Sequence, residues 1–297
     1  MTRILLTGAS GFLGGHIVVR KPVDVSLVAL YRTNRTDNDE NVTWIPCDIR
    51  DVTELECIIT DVKPQAILHT AASSKPDECD SQRDTAYEIN TMATGELARL
   101  ACKYQAKLVY LSTDMVYDGE AAPYTEMSSP KPLQWYGETK LQGERLVMAA
   151  SPQNLIIRSS VMFGSRALFG DSFSTGLLER LRLQIPSPVF TDQIRSTVSV
   201  KWIADRLYEV ARSPVAGKLQ LGGVEGVSRA EFAYQLANHF GYSTECLRPC
   251  SYKSISAAPR PRDLTFDLTK AKQILSQPPL SLPEALTFEW NQNSTRC

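Results

Sequence analysis

Residues 3–14 read Arg3-Ile4-Leu5-Leu6-Thr7-Gly8-Ala9-Ser10-Gly11-Phe12-Leu13-Gly14, an apolar run of strand length that passes straight into glycines. An apolar helical pattern follows at once, from Gly11 to Arg20. Glycines at 8, 11 and 14 have physical tasks in such a place: a tight turn, close approach of backbone N–H groups to a pyrophosphate, and close packing of helix on strand. The spacing is G-x-x-G-x-x-G rather than the generic G-x-G-x-x-G, so its weight comes from standing between a first strand and a first helix. Gly8, Ser10, Gly11, Phe12, Leu13 and Gly14 are therefore candidate cofactor contacts.

Outward from this loop, short β-branched runs alternate with helical patterns. Strands are expected at Arg3 to Thr7, Val25 to Leu30, Val42 to Ile45, Gln65 to Thr70, Lys107 to Ser112 and Leu155 to Ile157. Helices are expected at Gly11 to Arg20, Val52 to Thr60, Asp84 to Tyr104 and Tyr136 to Ala150. This order predicts an α/β protein with a doubly wound parallel sheet of the Rossmann type over residues 1–160. In the third helix Ile89, Met92, Ala93, Leu97, Leu100 and Ala101 recur close to one face, which should lie on the sheet. Beyond residue 160 prolines from Pro186 to Pro283 punctuate shorter elements. That predicts a smaller C-terminal α/β substrate lobe over 161–186 and 226–297, with 187–225 returning to the dinucleotide-binding domain. The polar stretch Thr33 to Glu40 reads as a mobile loop.

Composition removes other classes. At 297 residues with 43% hydrophobic and 22% charged side chains, the chain is neither disordered nor fibrous. Thirty-two basic against 33 acidic residues leave a net charge of -1, with no global field for a nucleic acid or an anionic membrane. No apolar run is long enough to span a bilayer, and the N-terminal run is broken at Gly8 without a cleavage site, as a strand and not a signal peptide would be. Seven cysteines (47, 57, 79, 102, 246, 250 and 297) are odd in number, scattered and free of C-x-x-C. They fit a reducing, cytoplasmic compartment rather than a disulfide framework or a zinc cluster. With only His16, His69 and His239 and no H-E-x-x-H, no metal site is expected, and His69 reads as a packed, hydrogen-bonded residue.

The second strand ends in Tyr31-Arg32-Thr33, with no carboxylate until Asp37. Arg32 stands where an acidic residue would take a ribose diol, which favours NADP, with NAD the alternative. The fifth strand ends in Ser112-Thr113-Asp114, and Tyr136-Gly-Glu-Thr-Lys140 follows on a helix. Positions i and i+4 share a helix face, so Tyr136 and Lys140 can enter one cleft. A neighbouring ammonium is expected to lower the tyrosine pKa from its usual value of about 10 toward that of a working acid or base. Thr113, at the carboxyl end of a parallel strand, faces the same cleft.

Together these motifs resemble the extended short-chain dehydrogenase/reductase superfamily, and in detail its dTDP-4-dehydrorhamnose reductase branch. Leu111-Ser-Thr-Asp-Met-Val-Tyr-Asp-Gly119 is similar to the branch's "STDYVFDG". Tyr124-Thr-Glu126, Tyr136-Gly-Glu-Thr-Lys-Leu-Gln-Gly-Glu144, Ile157-Arg-Ser-Ser-Val-Met-Phe-Gly164, Asp192-Gln-Ile-Arg-Ser196 and Arg260-Pro261 with Asp267 follow in the family's order. The resemblance implies NADPH-dependent reduction of a 4-keto nucleotide sugar, with dTDP-4-dehydrorhamnose as the first candidate. It makes Thr113, Tyr136 and Lys140 the catalytic trio, with Lys140 also on the nicotinamide ribose. Asp48 and Ile49 would lie at the adenine, Ala71 and Ala72 along the cofactor, and Asn90 near the nicotinamide.

The same resemblance gives Thr113, Asp114 and Val161 to the substrate, with Arg260 or Arg262 as the cation for its diphosphate. It further implies a homodimer; the magnesium described at some relatives' dimer contact finds no matching carboxylates here. Two rivals remain: an epimerase or dehydratase that recycles bound NAD, and a cofactor-binding regulatory subunit resembling the β subunit of methionine adenosyltransferase. The sequence departs from the branch at Val161 for a tryptophan, Thr197 for a proline, Leu264 for a serine and Ser172 for an asparagine. Val161 implies a roomier sugar pocket unless Trp135 or Phe163 fills the space.

Overall fold

Strand and helix propensities are satisfied in the predicted order. The computed structural model describes residues 1–33, 41–255 and 259–291; residues 34–40, most of the expected polar loop, and Cys297 lie outside them. Its elements begin β1 (Thr2–Thr7), α1 (Phe12–Val19), β2 (Val25–Tyr31), β3 (Val42–Pro46), α2 (Val52–Val62), β4 (Ala66–His69), α3 (Pro76–Ser81) and α4 (Arg83–Tyr87). A π-helical turn (Glu88–Ala93), α5 (Thr94–Lys103), β5 (Lys107–Thr113), α6 (Trp135–Ala150), β6 (Leu155–Ser159) and β7 (Met162–Phe163) follow. Then come α7 (Phe173–Arg182), β8 (Ser187–Phe190), β9 (Ile194–Arg195), β10 (Val198–Ser199), α8 (Val200–Ala211), β11 (Gly217–Leu221) and β12 (Val227–Ser228). The chain closes with α9 (Arg229–Phe240), β13 (Leu247–Cys250), β14 (Asp263–Leu264), α10 (Thr269–Ile274) and α11 (Leu282–Trp290).

Seven strands form one parallel sheet in the order β3-β2-β1-β4-β5-β6-β11. The chain reverses its direction of travel across the sheet between β1 and β4, where a doubly wound fold opens its ligand crevice at the strand carboxyl ends. Alternate residues of each strand feed opposite faces. Ile4, Leu6, Leu27 and Ala29 pack with Ile17 of α1 and Trp202 and Leu207 of α8. Leu5, Val28, Leu30 and Ile67 pack with Leu55 and Ile59 of α2 and Leu97 and Leu100 of α5.

The helix expected from Asp84 to Tyr104 is interrupted by the π-turn. Its wider repeat rotates the helical face, so Met92, expected on the sheet, is 50% exposed, while Asn90 and Thr91 are buried instead. In the C-terminal half, β8 pairs with β13, and β9 lies between β12 and β14. Phe163, Phe232, Leu236, Leu247 and Leu286 form a separate core there. Within 187–225, β11 extends the large sheet and α8 packs on α1, whereas β8 belongs with β13. Two of the departures find local reasons. Ser172 caps α7, accepting from the Thr175 N–H as an asparagine would, and Leu264 is fully buried in the large core.

Candidate active site

The crevice at the switch point is a cleft of ≈ 1050 Å³ that runs from the glycine loop to the C-terminal lobe. At its start Gly8 adopts φ 75°, and a Cβ there would lie 2.6 Å from the Ala71 nitrogen. A Cβ on Gly14 would lie 2.1 Å from the Gly8 carbonyl oxygen. The loop is thus a cradle that side chains would fill, and no side chain caps α1, leaving its first-turn N–H groups facing the cleft. Gly8, Ser10, Gly11, Phe12, Leu13, Gly14, Arg32, Asp48, Ile49, Ala71 and Ala72 all line it. Asp48 is held by Arg50, whose Nη2 donates to Oδ2 at 2.6 Å, and this bond above all holds the carboxyl at about 2. These features fit a dinucleotide.

Asn90 does not line the cleft. The π-turn buries it, where it accepts from the Ser73 N–H and donates to the Ser73 carbonyl, both at 2.9 Å, and to Thr139 Oγ1 at 3.1 Å. It therefore braces the β4–α3 loop against α6. His69 is likewise structural, buried between the Thr7 hydroxyl at 2.7 Å and the Thr94 hydroxyl at 3.0 Å, with burial pushing its pKa down to about 3.

At the catalytic end, the end of β5 and the start of α6 are clamped together, since a Cβ on Gly137 would lie 2.2 Å from the Met115 carbonyl oxygen. Thr113, Asp114, Tyr136 and Lys140 all line the cleft there. The Thr113 hydroxyl favours the ionised form of the Tyr136 phenol, but burial outweighs it and drives that phenol well above its ordinary pKa. Burial also lowers Lys140 to about 7, and its ammonium lies 4.1 Å from the centroid of the Tyr110 ring. The expected depression of the tyrosine pKa is corrected: desolvation outweighs the ammonium, which sits over Tyr110. Asp114 is buried, accepting from Ser160 Oγ at 3.0 Å and Thr113 Oγ1 at 3.2 Å, and desolvation raises its pKa.

The far wall carries arginines. Arg195, Arg229 and Arg260 line the cleft, each brought there by the small sheet in which β9 pairs with β12 and β14. Arg229 Nη1 and Arg260 Nε are buried without hydrogen-bond partners, and burial first, then Arg195, lowers Arg229 to about 10. Arg260 Nη2 also reaches Asp77 at 3.1 Å. Arg262 is exposed and outside the cleft lining, its carbonyl accepting from the Ile194 N–H at 2.8 Å. Sequence reasoning missed Arg195, Arg229, Gln193 and Gln134, all on the cleft wall. For Gln193, Arg195 and Arg229, only the pairing of β9 with β12 joins positions so far apart in the chain. Val161 lines the cleft as expected. Neither Trp135 nor Phe163 fills its space: Trp135 Nε1 donates to the Arg83 carbonyl at 3.0 Å, and Phe163 stacks on Trp290 in the lobe core. Phe173 is the aromatic on that wall, with the Arg229 guanidinium 3.9 Å from its centroid.

A family model, the RmlD substrate binding domain, matches residues 1–291. The chain belongs to that family. Methionine adenosyltransferase 2 subunit beta of Mus musculus is 29% identical over 92% of this chain and 82% of its own length. A dTDP-4-dehydrorhamnose reductase of Aggregatibacter actinomycetemcomitans is 27% identical over 96% of this chain and 97% of its own. A crystal structure of the Bacillus anthracis dTDP-4-dehydrorhamnose reductase in complex with NADP superposes with a TM-score of 0.85 at 24% identity, covering 98% and 99% of the two chains. The resemblance to that branch of NAD(P)-dependent oxidoreductases, and the doubly wound fold, are borne out. Among the described residues no helix is long and apolar enough to cross a membrane, and no group of His, Cys, Asp and Glu could hold a metal ion.

Proposed function

We propose that this chain uses NADPH to reduce the 4-keto group of a nucleotide-diphosphate sugar, with dTDP-4-dehydrorhamnose as the first substrate to try. The observation that carries the reading is the facing of two walls. Arg229 and Arg260, each with an unpartnered guanidinium nitrogen, stand with Arg195 across one cleft from a protonated tyrosine beside a strand-end threonine. Guanidinium groups match phosphate oxygens in charge and geometry, so a diphosphate on that wall would present its sugar to Tyr136.

When bound, NADPH supplies a hydride to the keto carbon. The glycine loop and the α1 N-terminus would hold its pyrophosphate, Arg32 its 2′-phosphate and Lys140 its ribose. Tyr136, whose raised pKa keeps it protonated at neutral pH, donates its proton to the oxygen that becomes an alkoxide. Thr113 holds that oxygen by a hydrogen bond. Lys140, titrating near 7, is suited to restoring the proton.

The test is absorbance at 340 nm with NADPH and a panel of dTDP- and UDP-linked 4-keto sugars. Net, stoichiometric oxidation with at least one supports the reading, and none with any refutes it. The likeness to methionine adenosyltransferase 2 subunit beta favours a second reading, a regulatory subunit that binds the dinucleotide without turnover. That reading predicts no net oxidation and a changed KM when the chain is added to a methionine adenosyltransferase catalytic subunit.

A further inference from the structure

Gln134 occupies the position that begins α6, where a short polar side chain would ordinarily bond the first free N–H groups. It makes no such cap. Its side chain lies in the wall of the cleft, 6% exposed, with Oε1 and Nε2 both buried and without partners. Buried amides are seldom left unpaired at both ends, and nothing in the fold uses this one.

The chemistry of the unmet groups narrows what it awaits. Arg229, Arg260 and Gln193 leave donors unmet on the cleft wall, as suits phosphate oxygens. Among the described residues lining the cleft, Gln134 Oε1 is the buried side-chain acceptor without a partner. A group that meets both ends of the amide must donate and accept at once, which a phosphate diester and a ketone cannot do and a hydroxyl can. One residue separates Gln134 from Tyr136, so their Cα atoms lie within about 7 Å, the breadth of a sugar ring.

We propose that Gln134 is a specificity-determining residue that grips a sugar hydroxyl next to the reacting carbon, orienting the ring for Tyr136. The inference rests on the nucleotide-sugar reading and adds to it which side chain tells a sugar from a bare nucleotide. It is tested by calorimetric titration of the native chain, Gln134→Ala and the shape-preserving Gln134→Met with dTDP, dTDP-rhamnose and NADPH. The native chain should hold dTDP-rhamnose more tightly than dTDP. Both variants should lose tenfold or more of that advantage, with the affinities for dTDP and NADPH changed by less than twofold. Equal losses for dTDP and dTDP-rhamnose, or an unchanged advantage, would overturn it. A loss confined to NADPH would assign the amide to the cofactor's carboxamide, also a donor and acceptor, and overturn it too. Failure of the native chain to bind either dTDP or UDP would instead remove the nucleotide-sugar reading, and this inference with it.

Discussion

Helix α6 separates two polar regions that differ in one respect. Beneath it, Arg158 of β6 donates to Glu144 through Nε at 2.9 Å and Nη2 at 2.6 Å, and to the Tyr117 hydroxyl at 2.6 Å. Ser112 donates to Glu144 and the Gln220 amide nitrogen to Tyr117, so that every charged group of that network is paired, although Gln220 Oε1 is left without a partner. Above it, on the cleft side, Gln134 and Arg229 keep buried atoms without partners, and the Lys140 ammonium faces a ring. A buried charge pair that satisfies itself holds elements together, whereas buried polar groups left open are costly and persist where a ligand completes them. The contrast separates scaffold from site on one helix.

The contrast breaks most visibly if the two regions respond alike to substitution. Tyr136→Phe removes one hydroxyl from the open side and should cut kcat by about 10²–10⁴, with Tm and NADPH affinity unchanged; steady-state kinetics beside a thermal melt check this. Glu144→Gln, on the closed side, leaves Arg158 buried with its charge uncompensated and should cost about 3–5 kcal/mol in a urea titration. Arg229→Met removes a cation with an unmet nitrogen. It should leave stability equal or higher while weakening dTDP binding by the roughly 1.5–3 kcal/mol of a charged hydrogen bond.

The smallest effect is in pH. Lys140 titrates near 7 in the folded chain and at about 10.4 unfolded. Between those values the unfolded chain holds the extra proton, so this group makes stability rise with pH. The native Tm should gain on that of Lys140→Met by a few degrees from pH 7 to 9; a difference flat in pH would put the lysine in water.

The order of β1, α1 and β5 and the Tyr136–Lys140 face were legible because they are local: a period, a glycine spacing, an i, i+4 pair. The π-turn was not, because no residue in Glu88–Ala93 advertises a wider helical repeat. Its consequences, Met92 turned outward and Asn90 turned into a brace, followed. Arg195 and Arg229 were hidden for another reason. Arg195 ends the two-residue strand β9 and Arg229 directly follows the two-residue strand β12, and only pairing across tens of residues brings them to one wall. The pKa of Tyr136 was misjudged in sign because spacing reports proximity and not desolvation.

The most direct test of hydride delivery to a sugar gripped between the two walls is isotope transfer. NADPH carrying deuterium at the transferable position of C4 is incubated with the chain and dTDP-4-dehydrorhamnose, and the sugar nucleotide is read by mass spectrometry. The account predicts one deuterium on the new carbinol carbon for each NADPH consumed, and no product from Tyr136→Phe on the same timescale. Unlabelled sugar with the NADPH intact would contradict it.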